Sequence, residues 1–459
     1  MNGRLARLKQ KRRFLIAAAV LAGVILLVLL LSFWQGWLWF REPVYPGQAD
    51  QPGAATGLSD EWVVEEHEID LLEQRMVTLL DQQGLLVSWY RLAGRTGIPA
   101  AVQSGEKKAL DQLLYGQYLL EQRRENDFNA WWQTFSTTFA TSDGVVSRIP
   151  GEPSWLADLG DEPGRAADDS WRVNLLTARL LAQSCAIWPD RERLDWVIAL
   201  SDRLLGRLEQ QPPVDFEMVR PTPVPILDPG ATPTPKPDAS TGTTPDPDPE
   251  TGSSSDSGDG MVNPQETVQA IRLASLDLLA ARQLAAIDDR WLGIYEQWLS
   301  WIEGGYLGDD LPLHAWAVEI KAGTDESAYL PFAGSVAAVQ TGEAFLTLLH
   351  LAEVGQLRAE SLLWLKNQLY NQNKIDESYH IVQGTPMTGN ESIAACALIA
   401  RIARIQLDQP LYELAVERLL WHQATNAKSA ALSTLFRQND TDMITVFARD
   451  NLLGMLAMR

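Results

Sequence analysis

The chain has few of the residues that build covalent cross-links, metal sites or nucleotide-binding loops. It has two cysteines and five histidines in 459 residues. Cys185 and Cys396 are too few for a disulfide framework, and we interpret them as small buried apolar residues. The histidines show no metal-ligand spacing, and the sequence has neither a glycine-rich phosphate loop nor a G-x-S-x-G elbow. The sequence therefore predicts no metal and no cofactor.

Basic residues are scarce relative to acidic ones. The chain has 38 Lys and Arg against 59 Asp and Glu, which gives a formal charge of −21. Six basic residues lie within positions 1–13, so the rest of the chain has 32 basic against 59 acidic side chains, a charge of −27. Such a surface repels nucleic acid and anionic lipid headgroups, whereas a neutral or cationic polymer is tolerated.

The longest uncharged run, residues 14–40, follows this basic tail. Its 27 residues, at about 1.5 Å each, exceed the roughly 30 Å hydrocarbon core of a bilayer. Trp34, Trp37 and Trp39 close the run, where aromatic rings favour the membrane interface. A cleaved signal peptide has an apolar region of only about 7–15 residues. We predict a single-pass signal anchor in the cell membrane, with residues 1–13 in the cytoplasm and the main domain outside.

Two further segments have too little apolar surface to fold. Residues 41–60 are rich in Pro and Gly and are predicted to form a flexible stalk. Residues 211–264 contain thirteen prolines and are predicted to be a disordered insertion. Because the cost of closing a loop grows only logarithmically with its length, the insertion can interrupt one domain. That domain is expected over 61–210 and 265–459.

The remaining sequence is almost wholly helical in pattern, and strand-like alternation is scarce. Apolar residues recur at three- and four-residue steps in about twelve segments, near 64–82, 107–123, 126–140, 169–187, 190–209, 265–286, 288–303, 336–354, 357–371, 390–405, 410–423 and 445–458. Twelve helices paired as six hairpins can bury their apolar faces by closing into a ring. We predict an all-α fold, an (α/α)6 barrel, with most of its tryptophans in the core.

The segment Ala109–Gly116, ALDQLLYG, has an acidic residue four positions before a tyrosine and five before a glycine. This spacing resembles the acid-bearing segment S-E-G-x-x-Y-G of glycoside hydrolase family 8. The resemblance implies an (α/α)6 fold, with Asp111 as the general acid and Tyr115 at the substrate. Asp111 is one methylene shorter than Glu, and errors of about 1 Å can cost ~10²-fold in rate. The structural alternative is an exposed carboxylate at a helix start.

Four later segments extend the resemblance. Residues 349–355, 389–395, 411–418 and 447–453 are similar to family members outside the cytoplasm that are encoded beside exopolysaccharide synthesis genes. This implies a β-linked polysaccharide as substrate or ligand. It also implies a membrane-bound exopolysaccharide synthase complex as a partner.

A second family segment, A-x-D-x-D, supplies acids that bind the distorted sugar. Here residues 166–170 read AADDS, so Asp168 matches the first acid and Ser170 falls where the second belongs. Asp169 is the replacement that lies nearest, and Trp171 is placed to stack on a sugar. The structural alternative is that Asp168 or Asp169 caps the following helix.

The resemblance leaves the general base unassigned. An inverting glycosidase needs a second carboxylate about 6.5–9.5 Å from the acid. In the family, the base lies at the start of the helix that contains the segment similar to residues 349–355. In this chain the start of that helix, residues 339–345, contains no aspartate. Glu343 is the nearest carboxylate, and Asp325 and Glu326 are alternatives. For Glu343 a plain solvated side chain is the simpler interpretation.

Two functions fit these observations. The first is a membrane-anchored glycoside hydrolase that cleaves a β-linked polysaccharide by inverting acid and base catalysis, with Asp111 as its acid. Glu106 is an alternative acid if its loop folds back. The second is an inactive protein of the same fold that binds a glycan or serves as a scaffold in a synthase complex. The second is motivated by the joint change of three catalytic segments.

Overall fold

A computed structural model of the chain describes residues 66–77, 79–93, 102–103, 105–149, 170–219, 267–320, 328–332, 338–438 and 443–458. The predicted cytoplasmic tail, signal anchor and stalk lie outside these residues and remain predictions. Within the described residues, none of the helices has both the length and the apolar character needed to cross a bilayer.

The described residues form twelve α-helices, the number that the apolar periodicity predicts. They are α1 (Glu66–Val77), α2 (Ala109–Glu121), α3 (Glu125–Phe139), α4 (Ser170–Ile187), α5 (Arg191–Gln210), α6 (Leu278–Leu284), α7 (Arg290–Gly304), α8 (Thr341–Glu353), α9 (Ala359–Asn367), α10 (Ile393–Ile405), α11 (Gln409–Leu420) and α12 (Ala448–Met458). A 3-10 turn, Leu273–Ser275, precedes α6, and a π-helical turn, Gln368–Gln372, follows α9.

The six even-numbered helices form a closed inner ring. Each contacts the next one, and α12 closes the ring on α2. The odd-numbered helices pack around it: α3 on α2, α5 on α4, α7 on α6, α11 on α10 and α1 on α12. Phe345 of α8 and Trp364 of α9 meet edge to face, with ring centroids 6.2 Å apart. The described part of the chain therefore has the predicted (α/α)6 architecture.

Contacts between helix ends show that the inner helices α2, α10 and α12 run in the same direction. Arg401, in the last turns of α10, donates to Glu121 Oε1 at 2.9 Å and to the Leu456 carbonyl at 3.2 Å, so the last turns of α10, α2 and α12 meet. At the opposite end, the first residue of α12, Ala448, donates its N–H to the Ser88 carbonyl at 2.9 Å. We call this opposite end, where the inner helices begin, the amino-terminal end of the barrel.

Local sequence fixes several of the helix starts. Asp190, Asp277, Ser392 and Asp408 each precede a helix, and each side chain accepts the backbone N–H of the residue three positions later. These bonds satisfy donors that the first turn leaves without a helical partner. A proline follows in the first turn of α11, where its missing N–H costs nothing.

Short strands cover the ends of the helices. The sequence did not predict them, because strand-like alternation is scarce. The described residues contain β1 (Trp89–Ala93), β2 (Val102–Gln103), β3 (Lys107–Lys108), β4 (Ala140–Thr141), β5 (Gly144–Val145), β6 (Arg148–Ile149), β7 (Phe216–Val219), β8 (Thr267–Arg272), β9 (Ala317–Glu319), β10 (Ala328–Leu330), β11 (Ala338–Gln340), β12 (Ser378–His380), β13 (Arg437–Gln438) and β14 (Met443–Phe447). They form two four-stranded sheets, ordered β13-β14-β1-β2 and β10-β9-β8-β7, and three two-stranded pairs.

The start of the segment predicted as helix over 265–286 is a strand. In β8, Val268 and Ala270 are buried and Gln269 between them is exposed, which is a strand period. The strand β8 pairs antiparallel with β7, with Val219 opposite Thr267. The described part of the predicted insertion, residues 211–219, is therefore partly strand, and the rest of it lies outside the described residues.

The two cysteines are buried and unpaired, as the sequence suggests. Burial raises the pKa of the Cys185 thiol to about 11. Burial also raises the pKa of Cys396 well above that of a free thiol. Both residues therefore behave as small apolar side chains of the core.

The inner ring encloses a cavity of about 70 Å³ that residues of all six inner helices or their caps line. At its centre Arg179 of α4 donates to two carboxylates, to Asp277 at 3.1 Å and to Glu353 at 2.6 Å. Although burial acts to raise it, the pKa of Glu353 is held well below its usual value by Arg179. The guanidinium therefore ties α4 to the cap of α6 and the end of α8.

The same cluster has the donor set of a metal site, but Arg179 already supplies its positive charge. His350 Nδ1 lies 3.8 Å from Asp277 Oδ1 and 3.7 Å from Glu353 Oε2. These three side chains could each offer one ligand atom to an ion. The same two oxygens accept hydrogen bonds from Arg179, so a metal at this place would meet a guanidinium at close range. The cluster is best explained as a buried ion pair network.

We predict that Arg179→Leu strongly destabilises the barrel. It leaves the Asp277 and Glu353 carboxylates buried without their cationic partner, a change that typically costs about 3–5 kcal/mol. Urea unfolding of the variant should show this loss. Arg191→Leu is the matched control, because Arg191 and Asp195 form an exposed pair worth at most about 1 kcal/mol. Equal losses in the two variants would contradict the role of Arg179.

Candidate active site

Asp111 lies in the first turn of the inner helix α2, at the amino-terminal end of the barrel. The short strand β3 directly precedes this helix and pairs with β6, which fixes where the helix begins. The structural alternative of an exposed helix-start carboxylate is wrong, because Asp111 is only 3% exposed. The fold therefore buries an ionisable group at one end of the inner ring.

Burial raises the pKa of the Asp111 carboxyl to about 6. Lys108, Ser88 and Arg449 act to lower this pKa, and Glu106 acts to raise it. The desolvation cost exceeds the combined effect of the nearby cations. A carboxyl group with this pKa is protonated in a large fraction of molecules in mildly acidic solution, as a general acid must be.

The residues around Asp111 in the motif have packing roles. Leu110 lines the central cavity. The Gln112 amide bonds both backbone groups of Leu86, accepting its N–H and donating to its carbonyl at 2.9 Å each. A Cβ at Gly116 would lie 2.4 Å from the Trp131 ring, so the motif's glycine permits α3 to approach α2. These positions hold the acid-bearing helix in place and explain the motif as a structural unit.

Two residues expected at the substrate lie in the core. Tyr115 is 8% exposed, and the charged groups that act on its pKa, among them Arg124 and Glu73, belong to the outer layer. Trp171 is 6% exposed and packs edge to face on Trp298 of α7, with ring centroids 6.1 Å apart. The substrate contacts that the motifs suggested for these two residues stay predictions.

Several other predicted positions lie outside the described residues. Asp168 and Asp169, the candidate sugar-binding acids, are among them, as are Asp325 and Glu326. Glu106, the alternative acid, is described. It lies at ion-pair distance from Arg148, 3.7 Å, and its charge acts on the pKa of Asp111.

Glu343 lies in the first turn of the inner helix α8 and is not a plain solvated side chain. Its Oε1 accepts from Arg272 Nη1 at 3.0 Å, and its Oε2 accepts from the indole N–H of Trp316. Arg272 Nε also donates to the buried Asp215 at 3.1 Å. No local pattern in the sequence could have revealed these partners, because they come from distant strands and loops of the chain.

Asp111 and Glu343 lie in the first turns of opposite helices of the inner ring. In the inner ring α2 and α8 are separated by two helices in either direction, so they are opposite members. With neighbouring helices 8–10 Å apart, the axes of opposite helices are roughly 16–20 Å apart. Both carboxylates lie in first turns, at the same end of the barrel. A chain that crosses this opening would pass between an acid with a raised pKa and a carboxylate bonded to Arg272.

No family model and no curated protein matches the sequence. Among solved structures, the chain is similar to a novel alpha-amylase from Clostridium perfringens. The TM-score is 0.61 and the identity 16%, over 85% of this chain and 96% of that one. This likeness concerns the fold, and it supports the six-hairpin barrel that the sequence predicts.

Two further solved structures cover most of the chain at lower similarity. PssZ from Listeria monocytogenes is 13% identical over 84% of this chain and 94% of that one, with a TM-score of 0.47. An endoglucanase from Komagataeibacter sucrofermentans is 14% identical over 76% of this chain and 97% of that one, with a TM-score of 0.46.

We predict that Asp111→Asn stabilises the protein at neutral pH. The pKa of the Asp111 carboxyl is about 6 in the folded protein and 3.8 in the reference state, so the folded state binds the proton more tightly. Stability from this group is complete below about pH 3.8 and is lost as the pH rises through 6, a loss on the order of 3 kcal/mol. Urea unfolding between pH 4 and pH 8 should show the variant gaining on the parent as the pH rises.

Asp202→Asn provides the control for this comparison, because Asp202 is exposed on α5. Its stability should follow that of the parent at every pH. A constant difference between Asp111→Asn and the parent across the range would show that the Asp111 carboxyl is not the titrating group.

Proposed function

We propose that the chain is a glycoside hydrolase that cleaves a polysaccharide by an inverting mechanism, with Asp111 as the general acid. One observation carries the proposal: a carboxyl group with a pKa of about 6 lies buried in the first turn of an inner helix, at the opening of the barrel. The fold shared with an alpha-amylase supports it, and so does the spacing of the motif. Asp168 and Asp169 remain the proposed sugar-positioning acids.

In this mechanism two carboxyl groups act on opposite faces of the sugar. Asp111 gives its proton to the glycosidic oxygen as the bond from that oxygen to the anomeric carbon breaks. A water molecule forms the new bond to the anomeric carbon from the other face and loses a proton to the base. Exchange with solvent then returns the proton to Asp111 and removes it from the base.

We assign the base to Glu343. It lies opposite Asp111 across the opening, and Arg272 balances its negative charge at 3.0 Å. A general base must accept a proton from water, and a carboxylate bonded to a guanidinium at the same end of the barrel is the acidic group best placed for that role. Asp215 holds Arg272 in place, and the indole N–H of Trp316 donates to the other oxygen of Glu343. The position of the Glu343 carboxylate is therefore fixed by two donors.

The substrate is proposed to be a β-linked polysaccharide outside the cell membrane, on the resemblance of the motifs to family 8. The solved structure with the higher TM-score is an alpha-amylase, so an α-linked glucan is the competing substrate class. The apolar run over residues 14–40 supports anchoring at the membrane, where a nascent exopolysaccharide and its synthase complex would be within reach.

An inactive glycan-binding or scaffold protein is the second proposal. It is favoured by the burial of Asp111, which is 3% exposed. It is also favoured by Gln112, because its amide bonds the backbone of Leu86 and so holds that segment against the start of α2. Both oxygens of Glu343 are also already bonded in the ligand-free protein. Turnover of any polysaccharide would exclude this proposal.

We predict that Asp111→Asn abolishes the release of reducing ends. The full chain and the variant would be assayed on cellulose derivatives, xylan, chitosan and amylose. Loss of a general acid typically costs 10²–10⁴-fold in rate. The activity of the parent should fall as the pH rises above about 6, because Asp111 must be protonated to act.

Asp111→Glu is the matched control, since it restores the longer acid found in the family motif while keeping the charge. It should retain more activity than Asp111→Asn. Equal activity of the parent and Asp111→Asn would exclude Asp111 as the acid. Absence of release from every polymer, with binding preserved, would favour the glycan-binding protein.

We predict that Glu343→Ala loses hydrolysis and that azide restores cleavage. Azide needs no base, so its nitrogen bonds the anomeric carbon directly while Asp111 protonates the leaving oxygen. The product would be a glycosyl azide of inverted configuration, detected by mass spectrometry and NMR. Asp450→Ala is the control, because Asp450 is also a buried acid in the first turn of an inner helix and is paired with Arg437. Azide should not rescue it. Glu343→Ala with parental activity would remove this assignment.

A further inference from the structure

One tryptophan departs from the packing of the others. Trp421 is 67% exposed, and among the described residues no other tryptophan is exposed. It follows α11 directly, as the cap of that helix. Leaving a large aromatic surface in water forgoes the stabilisation of burial, so a fixed exposed ring calls for an explanation.

The Trp421 ring is held in a defined position by charged groups. The guanidinium of Arg418, one turn earlier, lies 5.1 Å from the ring centroid. Arg418 donates through two nitrogens to both oxygens of Glu391, and His422 Nε2 lies 3.1 Å from the same carboxylate. The Glu391 side chain is 9% exposed, so the pair that supports the ring is anchored in the protein. The indole is a supported surface, and a ligand that stacks on it pays little ordering entropy.

The ring lies at the same end of the barrel as Asp111. Glu391 comes immediately before Ser392, the cap of the inner helix α10, so it marks the amino-terminal end. In the inner ring α10 and α2 are separated only by α12, which places their axes roughly 14–17 Å apart, and Trp421 lies at the end of α11, which packs on the outside of α10. A polymer of several sugar units can span this distance.

A polar loop connects the two places. Residues 424–433 leave Trp421, and the Tyr90 hydroxyl donates to the Ala430 carbonyl at 3.3 Å. Tyr90 is two residues from Ser88, which acts on the pKa of Asp111. The loop that leaves Trp421 therefore runs towards the segment beside Asp111, and it carries Thr425, Asn426 and Lys428, exposed side chains that can bond sugar hydroxyls.

The surroundings of the ring favour a sugar over a protein partner. A stable protein interface buries about 800 Å² on each side, whereas this is a single ring among charged and polar groups. The C–H face of a pyranose needs one flat apolar surface, with donors and acceptors at its rim. Arg418, Glu391 and His422 provide such a rim.

We propose that Trp421 is a stacking subsite for a sugar unit of the polysaccharide, remote from the bond that Asp111 cleaves. This inference rests on the proposed function of the barrel as a polysaccharide-acting protein. The subsite would hold the polymer across the opening and set a preference for long chains over short ones.

The test is affinity electrophoresis of the full chain in gels containing hydroxyethylcellulose, xylan, chitosan or amylose. Trp421→Ala should weaken binding of the retained polymer by roughly 2- to 12-fold, the usual strength of one aromatic contact. Trp421→Phe should lose less, because it keeps a ring. If the chain is active, Trp421→Ala should raise KM for the polymer and leave the rate on a short oligosaccharide unchanged.

Leu407→Ala is the matched control. Leu407 is 60% exposed, but it follows the carboxyl-terminal end of α10 and so lies at the opposite end of the barrel. Its loss should leave polymer binding unchanged. Parental binding by Trp421→Ala, with hydrolysis intact, would overturn the subsite and spare the proposed function.

Other outcomes separate the two proposals further. No retention of the parent by any polymer, together with no release of reducing ends, would overturn the proposed function and the subsite with it. If the parent self-associates and Trp421→Ala does not, while polymer binding is unchanged, the ring is a protein contact and the subsite is overturned.

Discussion

The bonds from Arg179 to Asp277 and Glu353 are the constraint on which the barrel depends. A ring of six helices leaves space along its axis that apolar side chains alone do not fill, and here charged groups occupy part of it. Removing two carboxylates and a guanidinium from water is costly, and the cost is offset only when each group meets its partners. The arrangement fixes the relative positions of α4, α6 and α8, and α8 carries Glu343.

Burial of the Asp111 carboxyl raises its pKa and lowers the stability of the folded protein at neutral pH. A carboxyl group buried next to a helix start is more easily kept protonated than one in water, and the protein loses stability at neutral pH in consequence. Arg272, Asp215 and Trp316 form the complementary environment around Glu343, where a negative charge is balanced and bonded. The two acidic residues therefore lie in different environments, one without a charged hydrogen-bond partner and the other bonded to a guanidinium.

The sequence predicted the number of helices and their ring because apolar spacing is a local property of each helix. It did not predict the strands, since β8 and β14 are short and their pairing partners are distant in the chain. The position of Asp111 followed from the motif, but its burial did not, because Ser88 and Arg449 approach it from far along the chain. The same motif suggested a substrate contact for Tyr115, and the sequence did not predict that this side chain is buried. The two partners of Glu343, Arg272 and Trp316, come from separate segments, and no spacing rule connects them.

The pairing of β7 with β8 has a further consequence for how the chain is connected. Val219 lies opposite Thr267, so the two ends of the intervening segment are held side by side by the strand ladder. The ladder, rather than the covalent link, keeps the two halves of the barrel in register at this point. New chain ends placed between these strands would leave the ring of helices with all of its contacts. The barrel is therefore, in its topology, a natural candidate for circular permutation or for assembly from two fragments.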